Sequence, residues 1–173
     1  MRRAGFVALL ALAVLAGAPA CRRGATDWRV EQLLGGPGSA EALAQPTAVD
    51  VFRIDPAAGP PEPNVPYVGV HRVVAGPFAV APDVAAELSR ILADSATYDW
   101  RHAKSDPYRP TYGLRFTRDA TKLDIALDFT SSMLTAHRHG RRVGVEDFDA
   151  ARAQLVAALR RALPDDPELA ALR

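Results

Sequence analysis

The stretch YGLRFTRDATKLDIALDFTSSMLTAHRH, from Tyr112 to His139, decides the fold. Leu114 and Phe116 alternate with Arg115 and Thr117. After a turn at Arg118-Asp119-Ala120-Thr121, Leu123, Ile125, Leu127 and Phe129 alternate with Asp124, Ala126 and Asp128. A period of two sends successive side chains to opposite faces of a pleated strand, so these strands are predicted to have one buried and one wet face. A third strand, Met133 to His137, pairs back. His139-Gly140 supplies the hairpin turn, and Arg142 to Val145 extends the pairing.

On the N-terminal side, Pro82-Asp83-Val84 opens a helix with Asp83 as its expected N-cap. Val84, Leu88, Ile91 and Leu92 form its apolar stripe, and Glu87 and Arg90 are expected as a solvated pair. Tyr98 and Trp100 are expected to close the core edge where helix gives way to strand. Further back, Val49 to Ile54 and Tyr67 to Val74 read as strands, with Val68, Val70 and Val74 on one face and His71 on the other. Between them, residues 56–66 hold five prolines, which marks an exposed, stiff loop. On the C-terminal side, Ala150 to Leu163 reads as a second helix with Asp149 as N-cap. Pro164 ends it, and Arg160 and Arg161 lie in its solvated last turn.

The expected architecture is α+β: an antiparallel sheet of four or five strands with two amphipathic helices packed on one face, occupying residues 48–173. Residues 21–47, rich in Gly, Ala and Pro, are expected as a flexible tether, with a short helix beginning near Ser39 and Trp28, Leu33 and Leu34 able to dock.

The N-terminus sets the expected destination. Arg2 and Arg3 precede an apolar run from Phe6 to Ala16 and then small residues, the three regions of a secretory signal peptide over residues 1–20. The run is too short for a membrane span, which takes about 20 residues. Ala18-Pro19-Ala20 fits ordinary cleavage, giving a soluble secreted or periplasmic protein. The single cysteine, Cys21, follows directly and resembles the lipidated cysteine of a bacterial lipobox, although Ala18 stands where Leu is usual. A secreted chain has little other use for one unpaired thiol, so lipidation at Cys21 is the preferred reading. By the family rule, the lack of Asp at position 22 points to the outer membrane, with the domain facing the periplasm or the cell surface.

Charge and cysteine count exclude several classes. The 173 residues carry 21 Lys+Arg and 20 Asp+Glu, and without residues 1–20 the balance becomes 19 against 20. A near-neutral domain has no electrostatic footprint for nucleic acid. The basic run from His137 to Arg142 reads as a loop tip. One cysteine rules out an intramolecular disulfide and any multi-cysteine zinc site. No phosphate loop, dinucleotide fingerprint or serine elbow occurs around Ser131-Ser132. Asp124 and Asp128 lie four apart on one strand, about 13 Å, too far to act as a carboxylate pair. His137 and His139 would make half a metal site, completed by His71 or His102, but no metal-binding spacing supports it.

From Tyr98-Asp99-Trp100 onward, through YGLRFTR, LDIALDF, HGR, EDFDAAR and ALPDDPEL, the chain resembles a family of small uncharacterised bacterial secreted proteins and lipoproteins. The resemblance implies no activity and transfers no catalytic residues. Family members carry cysteines at positions matched here by Asp106, Asp128 and Ser131, so any cysteine chemistry in relatives is not expected in this chain.

The leading expectation is a non-catalytic envelope lipoprotein, a binding or structural module that uses no metal or cofactor. Its expected partners are the membrane, through the lipid, and an envelope protein. One alternative is a periplasmic hydrolase or metal-dependent enzyme using His71, His102 or His137 with Asp106 or Asp128. Another is an inhibitor of a periplasmic enzyme acting through the 56–66 loop.

Overall fold

The computed structural model describes residues 26–101, 104 and 107–172. Residues 1–20, expected as a signal peptide, and Cys21, His102 and Asp106 lie outside them. In chain order the elements are α1 (Trp28–Leu33), α2 (Pro37–Ala44), β1 (Ala48–Ala58), β2 (Tyr67–Val68), β3 (His71–Ala79), α3 (Pro82–Ala93), β4 (Tyr112–Arg118), β5 (Thr121–Asp128), β6 (Met133–Arg138), β7 (Arg141–Asp147), α4 (Arg152–Ala162) and α5 (Pro167–Ala171).

The fold is α+β. The sheet is larger than expected: seven antiparallel strands in the order β2-β3-β1-β4-β5-β6-β7. The β4–β5–β6 meander has the predicted register, with Leu114 opposite Ile125 and Ile125 opposite Ala136. His139 and Gly140 both take positive φ, as a tight two-residue hairpin requires.

One face of the sheet carries Val49, Val51, Tyr112, Leu114, Phe116, Leu123, Ile125, Leu127 and Leu134 into the main core. The stripes of α3 and α4, including Leu88, Ile91, Leu155 and Leu159, pack on it. Tyr98 is buried there and Trp100 packs at its margin, as expected of core-closing aromatics.

Several local expectations are corrected. Residues 28–44 are two helices rather than a tether. Val30, Leu33, Leu34, Ala40 and Leu43 belong to the main core, and burying them offsets the entropy of ordering a Gly-rich segment. Neither Asp83 nor Asp149 caps its helix: α3 starts after Ala81 with Pro82 in its first turn, and Asp149 lies in a 3-10 turn leading into α4. Glu87 pairs with Arg161 of α4 instead of Arg90, and Arg161 also reaches Asp83, so charges on two helices join them. Arg160 donates to the carbonyls of Leu169 and Ala170, closing the end of α5.

The strand expected from Tyr67 to Val74 is a hairpin. Tyr67 pairs with Arg72 and Val68 with His71, so Gly69-Val70 is the turn and the period of two is broken there. Val74 is consequently exposed while His71 is buried. The β1–β3 pairing contains successive register shifts between Val51 and Ala58. Such bulges increase local twist, and this end of the sheet curls until β2 lies back across the second face. Val68 then packs with Phe52, Ile54 and Ala126 in a small second core. The face expected to be wet is therefore largely covered.

Candidate functional site

Beneath the β2–β3 hairpin, β4, β5 and β6 contribute Arg115, Asp124, Asp128, Thr135 and His137. Their spacing by two places them all on the second face. Asp124 opposes Arg115 across the β4–β5 ladder and takes a bidentate contact from it, at 2.7 and 2.8 Å. The same carboxylate accepts the backbone N–H of Gly69 at 2.9 Å, and the Arg115 guanidinium donates to the Tyr67 carbonyl at 2.6 Å. The ion pair thus clamps the hairpin turn from both sides.

Asp128, at the end of β5, is 1% exposed. It accepts from the backbone N–H groups of Arg109, Thr130 and Ser131 and from the Ser131 hydroxyl. A carboxylate with four donors to backbone and turn groups organises the β5–β6 connection and the strand entering β4. Ser131 is accordingly a partner of Asp128.

The two described imidazoles on this face meet. His71 and His137 have ring centroids 6.2 Å apart, and Tyr108 stands 6.2 Å from His71. The hydrogen bonds fix the proton positions. Tyr108 donates its hydroxyl proton to the Ala126 carbonyl at 2.9 Å. The 2.7 Å contact between Tyr108 and Thr135 must then use the threonine proton. Thr135 has only one, so His137 Nε2 carries its own and donates it to the Thr135 hydroxyl at 2.8 Å. That leaves His137 Nδ1 as a bare lone pair, and it is buried with no hydrogen-bond partner.

His71 donates from Nδ1 to the Asp55 carbonyl at 3.1 Å. Burial lowers the pKa of both rings. For His137 the value falls to about 4, with the His71 ring as a second cause. Both are neutral near pH 7. The backbone of Gly69 lies on the His137 ring: a Cβ at Gly69 would stand 2.5 Å from it.

The structure therefore brings His71 and His137 together and buries both. Of the other residues of the enzyme and metal-site readings, none of the described ones joins them. His139 is exposed in the β6–β7 turn, Asp128 is committed to the β5–β6 connection, and His102 and Asp106 lie outside the described residues. Among the described residues no three His, Cys, Asp or Glu side chains are placed to hold one metal ion. A groove of about 930 Å³ runs between the end of α2, the start of β1 and α3. It is lined by residues such as Ala44, Pro46, Val49 and Arg118 and includes none of these imidazoles or aspartates. The Pro-rich segment is exposed from Pro56 to Asn64.

A second surface was not legible in the sequence. At the β7 edge, Trp28, Trp100, Val143 and Val145 line a shallow cleft of about 370 Å³. Beside it, Lys104 Nζ donates to Asp147 at 2.7 Å, to Asp149 at 2.5 Å and to the Ser131 carbonyl at 2.8 Å. Val143 and Val145 alternate in the sequence, but their exposure depends on β7 being an edge strand, which only the strand order reveals. No described helix is long and apolar enough to cross a membrane. No family model, curated protein or solved structure matches the chain.

Proposed function

We propose that the chain is a lipid-anchored protein of the bacterial cell envelope, attached through Cys21, and acts as a non-catalytic binding or structural module. The observation that carries the second half is the use of its most reactive side chains. Asp124 and Asp128 hold a hairpin and a turn, the imidazole of His137 lies under the backbone of Gly69, and that of His71 is buried beside it. What the molecule offers to its surroundings is a surface, with exposed Trp28, Val143 and Val145 along β7. The anchor rests on the sequence order of basic start, apolar run and lone cysteine.

Fractionation of cells expressing the full chain tests the anchor. The wild type is expected in the membrane fraction with an acyl-modified N-terminal cysteine by mass spectrometry, and Cys21→Ser is expected to become soluble. A Cys21→Ser variant that still fractionates with membranes overturns the reading.

A further inference from the structure

Among the described residues, Trp28, Val74, Phe78, Val143 and Val145 are the large apolar side chains open to solvent, and three of them share the β7 cleft. Trp28 is the most exposed, at 69%. Its position is fixed by the fold. Asp27 caps α1 by accepting from the Arg29 N–H, and Val30, Leu33 and Leu34 hold the helix in the main core. The Leu33 carbonyl also presses on β7 so closely that a Cβ at Gly144 would stand 2.1 Å from it. A well-anchored helix thus presents an indole to solvent. An indole has a broad apolar body and one N–H donor, and its favoured surroundings are the boundary between lipid and water.

Charge and chain length point the same way. Arg141 and Arg142, both exposed, adjoin Val143 on β7, and Arg22 and Arg23 precede α1 in the sequence. Glu146 is the carboxylate lining the cleft. Burial, with Asp147 and Asp99 nearby, pushes its pKa above the ordinary carboxylate value. Trp28 lies seven residues after Cys21. At no more than about 3.6 Å per residue, the two cannot be further apart than about 25 Å. Whatever path residues 22–27 take, a lipid on Cys21 keeps this face close to the headgroups.

We infer that the face formed by Trp28, Val143 and Val145 docks on an anionic phospholipid surface, with Arg141 and Arg142 over the headgroups. The domain then lies against the bilayer instead of swinging from its anchor. This inference rests on lipidation of Cys21.

The test uses the mature lipidated protein in vesicles of phosphatidylethanolamine and phosphatidylglycerol, with and without brominated acyl chains. The two tryptophans are separated by a Trp100→Phe background, whose fold is checked by its melting curve. A parallel Trp28→Phe protein reports Trp100 alone and needs no change near the core. Trp28 emission is expected to shift to the blue and to be quenched by the brominated lipid, more strongly than that of Trp100, which lines the same cleft but is partly buried. Arg141→Glu/Arg142→Glu is expected to lose most of the Trp28 quenching while remaining membrane-bound through the lipid.

A lipidated protein whose Trp28 emission is unquenched overturns the docking and leaves the anchor intact. A blue shift that instead rises with protein concentration, without quenching, assigns the face to a second copy and also overturns it. A chain that carries no lipid overturns both readings.

Discussion

Thr135 has one hydroxyl and two neighbours that depend on it. It accepts from His137 and donates to Tyr108, so a single proton arrangement satisfies the chain from imidazole to the Ala126 carbonyl. Protonating His137 would place a charge where there is no partner for its Nδ1. This has a consequence for stability. In the unfolded chain a histidine takes up its proton near pH 6.5, whereas folded His137 does so only near pH 4. Between those values the unfolded state binds more protons, so the stabilising neutral form is fully effective above about pH 6.5 and its contribution is lost as pH falls towards 4. His71, also lowered, adds in the same direction. Urea unfolding across this range should show a loss on the order of 2–3 kcal/mol attributable to His137, at about 1.4 kcal/mol per pKa unit. His137→Gln, which retains a donor for Thr135, should flatten the slope. An equally steep slope in that variant would assign the effect to other groups.

At the scale of elements, β3 pairs with β1, while the turn of the β2–β3 hairpin is held against β4 and β5 by one ion pair and a little apolar packing. Arg115→Met strands the Asp124 carboxylate at 9% residue exposure and releases the Tyr67 carbonyl. Removing one member of a buried pair typically costs about 3–5 kcal/mol. Equilibrium unfolding should show a loss approaching the lower end of that range, because the Arg115 side chain keeps 22% exposure. Adding Asp124→Leu should recover part of it, and strict additivity of the two changes would contradict the clamp. The meander was legible because Leu123, Ile125 and Leu127 obey a two-residue period that no other structure accommodates. The hairpin was not. Val68, Val70 and Val74 form an unbroken alternation on paper, and only the long-range contact with Asp124 reveals a turn at Gly69. The same contact buries the face that the aspartates and His137 marked as wet. A polar residue in a strand indicates which face it is on, but whether another part of the chain covers that face is decided by topology. His71 and His137 were therefore visible as residues, while their meeting was not.

At the scale of the whole molecule, the N-terminal helices are structural. Their turn-rich composition made residues 21–47 read as a tether, since a six-residue helix has too few positions for periodicity to register. Deleting residues 26–45 would remove Val30, Leu33, Leu34, Ala40 and Leu43 from the main core. Losing several buried aliphatic side chains, at roughly 2 kcal/mol each, exceeds the margin of a small domain. The truncated protein should lack a cooperative thermal transition, and a sharp melt near that of the full chain would restore the tether reading.

The close approach of Leu33 to Gly144 also bears on the order in which the molecule can assemble. These residues are 111 positions apart, and α1 belongs to the first part of the chain to be made while β7 belongs to the last third. Contacts of such separation make folding slow, because a long loop must close before they form. A chain delivered N-terminus first would wait with α1 unpartnered until β7 had followed. The Trp28 surface would come into existence only once β7 is in place.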